Sequence, residues 1–431
     1  MTKNILKNIH PVVSDNRGEN YDFAGNAAYV MEALAPKPDD GVRTTAKSIG
    51  VWPLPEGQYD PVLGTAGIPD GSSIFGLFDE TYTRLHSPEL SPELTRVSSL
   101  AELKDDCWCV LFAKSGFDYV IVKSDKPVTI KARTGSVTDY DYSLFAGVTG
   151  DNFTQIWSSA AKFRGCCASD YLNSREFAES VFDKIGYATE YVTDNLQFVR
   201  KAVESIDLGV PALILSPTPA WNLASWSVVV GYEDSGQTLL VMQSNRSVPM
   251  RVSSTVAEAL LLVVKNVRDL PLAQVYREAI ERLPKLLTTK TDDYVFGSEA
   301  FREWANYIER GGYDSVDVEG DAQWDSYTNY VCVLATNGSC CHSFLEKAME
   351  LNPDMTFLSE ISALYRRTAE MWGGESGNND SDSLEVLGGG FNVTNNALST
   401  SGNRLRIVAK IRECAEVIDE VVSLLTSSLA L

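Results

Sequence analysis

The chain has 431 residues, 44% of them hydrophobic, enough to bury one large core or two ordinary ones without disulfide or metal support. Its 58 acidic and 37 basic residues give a net charge of −21, which repels a nucleic-acid backbone or an anionic membrane before contact and excludes both as expected partners. No run of 18 apolar residues occurs, the N-terminus lacks the apolar core of a secretory signal, and eight cysteines are too sparse for a disulfide scaffold, so a reduced, cytoplasmic protein is expected.

In chain order, "DFAGNAAYVMEAL" (22–34) sets Ala27, Val30, Met31 and Leu34 at helical spacing, and Pro36 and Pro38 end the helix. Over 36–137 the texture changes to Pro/Gly punctuation, followed by the aromatic and β-branched runs of "DDCWCVLFAKSGFDYVIVKSDKPVTIKA", which predict an inserted, antiparallel β-rich subdomain. "TGDNFTQIW" (149–157) reads as the opening of a helix, and "NSREFAESVFDKIG" (173–186) as another, capped by Ser174 and closed by Gly186. "YATEYVT" alternates like a strand, and Asp194 with Gln197 makes a capping-box pattern ahead of Leu196, Val199, Val203 and Ile206. Three apolar strands follow, "VPALILS", "WSVVVGY" and "QTLLVMQ", the last two joined by the turn Glu233-Asp234-Ser235-Gly236.

Beyond residue 268, helical periodicity recurs over about 270–288, 298–310, 325–351, 356–372 and 402–427, with Ile407, Ile411, Cys414, Ile418, Val421 and Leu425 as one apolar stripe. The polar run "GGESGNNDSDS" (373–383) is expected to be a mobile loop. The expected organisation is an N-terminal arm and first helix (1–35), the insert (36–137), an α/β domain (138–268) and a mainly helical C-terminal region (269–431).

A papain-type thiol enzyme needs a Cys at a buried helix N-terminus, where unpaired amides stabilise thiolate and oxyanion, and a His on a facing strand as base. The helix placed for this role begins, on this reading, at Gly25-Asn26, and Asn26 is no nucleophile; its amide either holds a ligand or is an ordinary cap or packing residue. Two residues before the valine run, where such a fold presents its His, stands Ser225. The three histidines are His10, His86 and His342. Because vicinal Cys340 and Cys341 fit one tetrahedral ion poorly, no metal is expected beside His342, and Cys341 with Phe344 fits a core helix face. Cys166 and Cys167 are the alternative nucleophiles, or else structural thiols. Gly388, Gly389 and Gly390 lack the Lys-Ser/Thr of a phosphate cradle and read as a tight turn or a ligand-lining approach. No cofactor is expected.

Together "YDFAGNAAYVMEAL", "DYDYSLFAGVTGDNFTQIW", "GYEDSGQTLL", "NYVCVLATNGSCC", "LNPDMTFL", "LGGGFNVT" and "AKIRECAEVIDEVVSLL" resemble a bacterial and archaeal family similar to the butirosin biosynthesis protein H N-terminal domain and, more remotely, to C39-like cysteine peptidases. The resemblance spans 20–34 and about 138–427. It implies a papain-like α/β (α+β) fold with an antiparallel sheet, and acyl transfer through a Cys nucleophile. It puts the nucleophile at or beside Asn26, the His at about Ser225, and the orienting Asp/Asn near Gln243 to Asn245. With nucleophile and base both replaced, the expectation is a catalytically degenerate domain that binds a small molecule, peptide or protein, with Asn26, Asp151, Gln155, Asn222, Ser225 and Gln243 as pocket candidates. The alternatives are an active thiol acyltransferase or amidase using Cys166 or Cys167, and an interaction protein acting through the insert.

Overall fold

The computed structural model describes residues 3–6, 12, 21–34, 139–158, 167–172, 174–218, 223–243, 249–320, 322, 327–373 and 382–429, with the backbone of short strands between 48 and 131. Its first elements are β1 (Asn4–Ile5) and α1 (Asp22–Leu34). The insert follows with β2 (Ser48–Gly50), β3 (Trp52–Pro53), β4 (Thr95–Val97), β5 (Trp108–Ser115), β6 (Asp118–Ser124) and β7 (Thr129–Lys131). Next are α2 (Tyr142–Thr149), β8 (Ile156–Trp157), α3 (Ala168–Tyr171), α4 (Arg175–Lys184), β9 (Tyr187–Val192) and α5 (Asn195–Asp207). Five strands succeed them: β10 (Ala212–Thr218), β11 (Leu223–Glu233), β12 (Thr238–Met242), β13 (Met250–Ser253) and β14 (Ala259–Asn266). The remainder is α6 (Leu272–Leu287), β15 (Val295–Phe296), α7 (Gly297–Glu309), α8 (Thr328–Leu351), α9 (Leu358–Trp372), α10 (Leu384–Leu387), α11 (Asn395–Ser399) and α12 (Ser401–Leu429).

Two compact units result, one of residues 1–142, 190–216 and 225–263, the other of 143–189, 217–224 and 264–431. The expected 138–268 segment is therefore shared between them. The chain is of mixed α+β class, with a helical C-terminal part.

In the first unit, the main sheet runs β13-β12-β11-β10-β14-β9, and β1 pairs with β11. The register of β1, Asn4 opposite Tyr232 and Ile5 opposite Gly231, brings the Asn4 carbonyl so close that a Cβ at Gly231 would overlap it. The hairpin between β11 and β12 turns through left-handed backbone at Asp234, Ser235 and Gly236. Against one face lies α5, capped by the Asp194 carboxylate accepting from Gln197 N at 2.9 Å. Its Phe198, Ala202 and Ile206 join Ile214, Val229, Leu239, Val241 and Leu260 in a buried cluster. Fully burying a side chain such as Phe198 stabilises by about 1.5–3 kcal/mol, so this face alone explains why α5 docks.

The insert forms a four-stranded sheet in the order β3-β5-β6-β4 and, separately, a β2–β7 pair. Ser48 opposite Lys131 brings the two ends of the insert together. Replacing residues 38–136 by a short Gly/Ser linker is therefore expected to leave a soluble protein with one cooperative thermal transition, because little loop closure is lost. Aggregation, or a broad non-cooperative melt, would show that the insert completes a core.

In the second unit, α12 buries its whole expected stripe, from Ile407 to Leu425. Arg412 donates to Glu309 at 2.6 Å and Arg367 to Glu420 at 3.2 Å, but exposed pairs contribute about 0–1 kcal/mol each, so burial of the stripe decides the packing. "TGDNFTQIW" does not open a helix. Gly150, at φ +88°, ends α2 instead, and the chain passes through a single 3-10 turn (Asp151–Phe153) into β8. Most of the 373–383 run lies outside the described residues.

Candidate functional site

In the first unit, α1 begins at Asp22, about one turn before the Gly25-Asn26 start that the papain-type reading needs, which puts Asn26 inside the helix and away from the unpaired amides at its end. Asn26 is fully buried; its Nδ2 donates to the Trp226 carbonyl at 2.8 Å, while Oδ1 has no partner. Phe23, a turn earlier, meets the Trp226 ring edge-on at 5.6 Å, and Tyr191 meets it at 6.4 Å. The face of β11 turned toward α1 thus carries Trp226.

Side chains alternate along a strand, so Ser225 and Ser227 belong to the opposite face. Ser227 confirms it: it is fully buried, accepts from Gln243 Nε2 at 3.1 Å, and precedes Val229 of the α5 cluster by two residues. The expected confrontation of Asn26 and Ser225 is corrected by this geometry, since the half-buried Ser225 faces away from α1. Gln243 supports Ser227, not Ser225. Asn222 lies outside the described residues.

In the second unit, residues 149–158 bury Thr149, Asp151, Asn152, Thr154, Gln155 and Ser158 in one short segment. Asp151 accepts from Ser169 N at 2.8 Å, Ser169 Oγ at 2.9 Å and Thr149 Oγ1 at 2.8 Å. Burial nevertheless outweighs these bonds and pushes its carboxyl up to about 6, with the neighbouring Asp170 charge adding to the rise. Cys167 Sγ, also buried, stands 3.1 Å from Ser169 Oγ. Two sequence candidates, Cys167 and Asp151, are therefore linked through a serine that the sequence did not single out. Cys166 lies outside the described residues. His342 is tied to Ser362 Oγ at 2.7 Å and the Gly338 carbonyl at 3.0 Å inside the α8–α9 pair, a structural position. No group of His, Cys, Asp or Glu side chains among the described residues could hold a metal ion.

Gln155, the remaining pocket candidate, donates from Nε2 to the Tyr330 carbonyl at 3.2 Å. It adjoins a closed circuit of aromatic rings that sequence reasoning missed. Trp157 meets Tyr330 at 4.7 Å, Tyr330 meets Trp304 at 5.6 Å, and Trp304 meets Tyr327 at 5.3 Å. Tyr327 meets Tyr313 at 5.2 Å, Tyr313 meets Tyr307 at 4.9 Å, and Tyr307 returns to Trp157 at 5.2 Å. The available signal was the i, i+3 spacing of Trp304 with Tyr307 and of Tyr327 with Tyr330. Gln155 Oε1, Trp157 Nε1, Trp304 Nε1 and Thr328 Oγ1 are buried without a hydrogen-bond partner. A buried donor or acceptor left without a partner costs about 1–3 kcal/mol, so each of these four groups calls for water or a ligand atom.

No protein-family model matches the chain, and no curated protein matches it significantly. Among the described residues no helix is long and apolar enough to cross a membrane.

Proposed function

We propose that the chain is a binding protein built on a papain-like domain whose catalytic positions are unfilled, taking a small molecule, peptide or protein segment in place of turning over a thioester or amide. The observation that carries this reading is the Asn26–Trp226 contact. The side chain nearest the would-be nucleophile position is an amide already bonded to a backbone carbonyl, and the strand face opposite it offers an indole where a base is required. The unpartnered Asn26 Oδ1 is a buried acceptor suited to a ligand N–H.

A second reading, thiol catalysis in the other unit, is favoured by the Cys167–Ser169–Asp151 chain, along which a thiol proton has a path to a carboxylate. One experiment separates the two. The native protein is treated with iodoacetamide and with a generic thioester, and modified cysteines are mapped by mass spectrometry. Among the described cysteines, the binding reading expects the half-buried Cys332 to react ahead of Cys167 and Cys414, the latter thiol being pushed up to about 12 by burial. An Asn26→Cys, Ser225→His double variant is expected to gain no acyl transfer, because the two positions lie on opposite sides of β11. Fast, stoichiometric labelling or acylation at Cys166 or Cys167 would establish the enzyme reading instead.

A further inference from the structure

The aromatic circuit of the second unit lies apart, in its residues, from both readings above. Five of its six rings are buried and Tyr307 is half-buried, so the outer wall is Tyr307, with the Arg310 guanidinium 5.3 Å from its ring centre. Gly312 lies against the Tyr307 ring, where any Cβ would overlap it. The Tyr327 hydroxyl donates to the Gly389 carbonyl at 2.8 Å, which joins the Gly388–Gly390 turn to the circuit and gives that sequence motif a place.

The four unpartnered atoms constrain what the circuit takes. Indole N–H groups only donate, so Trp157 and Trp304 call for acceptors; Gln155 Oε1 only accepts, so it calls for a donor; the Thr328 hydroxyl does either. A simple alkylammonium, although attracted to aromatic faces, presents no acceptor and leaves both indoles unpaired. A carboxylate presents no donor to Gln155, and a phosphate, like a carboxylate, brings a charge that the neutral side chains of the circuit cannot balance. A single ligand meeting all four would be a neutral molecule whose hydroxyls donate and accept while its C–H faces lie against aromatic rings.

We infer that the Trp157–Tyr330–Trp304–Tyr327–Tyr313–Tyr307 circuit is a binding site for a small neutral polyol of monosaccharide size, hydrogen-bonded by the two indoles, Gln155 and Thr328. The intact protein is titrated with glucose, N-acetylglucosamine and myo-inositol, and with choline and acetate as charged controls, reading tryptophan fluorescence and thermal unfolding. At least one polyol is expected to give a saturable fluorescence change and a raised transition temperature, with no response to either control. Trp157→Phe and Trp304→Phe keep a ring and lose the N–H, and are each expected to weaken that polyol by at least about tenfold while retaining a cooperative transition. If either fails to fold, Thr328→Val provides the same comparison. Absence of a saturable response to every polyol up to about 10 mM overturns the inference. So does a response to choline or acetate alone, or unchanged polyol affinity in a folded Trp304→Phe protein.

Discussion

Asp151→Asn is expected to stabilise the protein by about 3 kcal/mol at neutral pH and to change little below about pH 4, whereas Asp151→Ala loses about 2–4 kcal/mol below about pH 4, a loss that the relieved ionisation cost largely offsets at neutral pH. Burial raises the carboxyl from 3.8 to about 6, so across that interval the native state holds more protons than the unfolded chain. Stability of the wild type therefore falls as pH rises through the interval, and the full cost is present above about pH 7. An amide at this position removes the ionisation without orphaning its neighbours. Its oxygen replaces the acceptor of Ser169 N, its NH2 donates to the Ser169 and Thr149 hydroxyls, and those hydroxyls turn toward Cys167 Sγ and the Ala146 carbonyl. Alanine leaves Ser169 N–H unpaired in a buried place. Urea unfolding at about pH 4, 6 and 8 decides it: a wild-type stability that rises with pH over this range, or an Asn variant no more stable than wild type at about pH 8, would refute the account.

Much of the fold was legible because local signals and burial agree. The 22–34 helix, the Ser174 and Asp194 caps, the strands around the Glu233–Gly236 turn and the α12 stripe each combine a periodic apolar pattern with a capping or turn residue. The 149–157 stretch reads as the opening of a helix, but the left-handed backbone at Gly150 closes one instead, and a glycine does not show in sequence which of the two it does. Strand β14, "ALLLVVKN", lies among uniformly apolar residues that lack the period of two, and β13 is too short to show one. The site was less legible. A one-residue parity on β11 decides whether Ser225 or Trp226 faces α1, and only packing against Phe23 fixes that parity. The aromatic circuit draws on residues 157 to 330, and the i, i+3 pairs Trp304/Tyr307 and Tyr327/Tyr330 are local signals that cannot show they meet each other or Trp157.

Gly297→Ala is expected to cost about 3 kcal/mol or more, against about 1 kcal/mol for Gly320→Ala, although both glycines have left-handed backbone, at φ +64° and +58°. At Gly320 an added Cβ meets nothing within 4 Å, so that substitution measures the conformational penalty alone. At Gly297 the same Cβ would overlap the Leu287 carbonyl, a backbone atom at the end of α6 that has no rotamer by which to withdraw. Relief would require β15 to shift, and β15 holds the site: Val295 pairs with Trp157, Phe296 with Ile156, and Gly297 N donates to the Gln155 carbonyl at 2.8 Å. The loss of stability should therefore come with a changed tryptophan emission at Trp157 in the folded state, a signature that Gly320→Ala lacks. Equal losses in the two variants, read from urea midpoints at matched slopes, would show that Leu287 yields and that Gly297 is retained for its backbone conformation only.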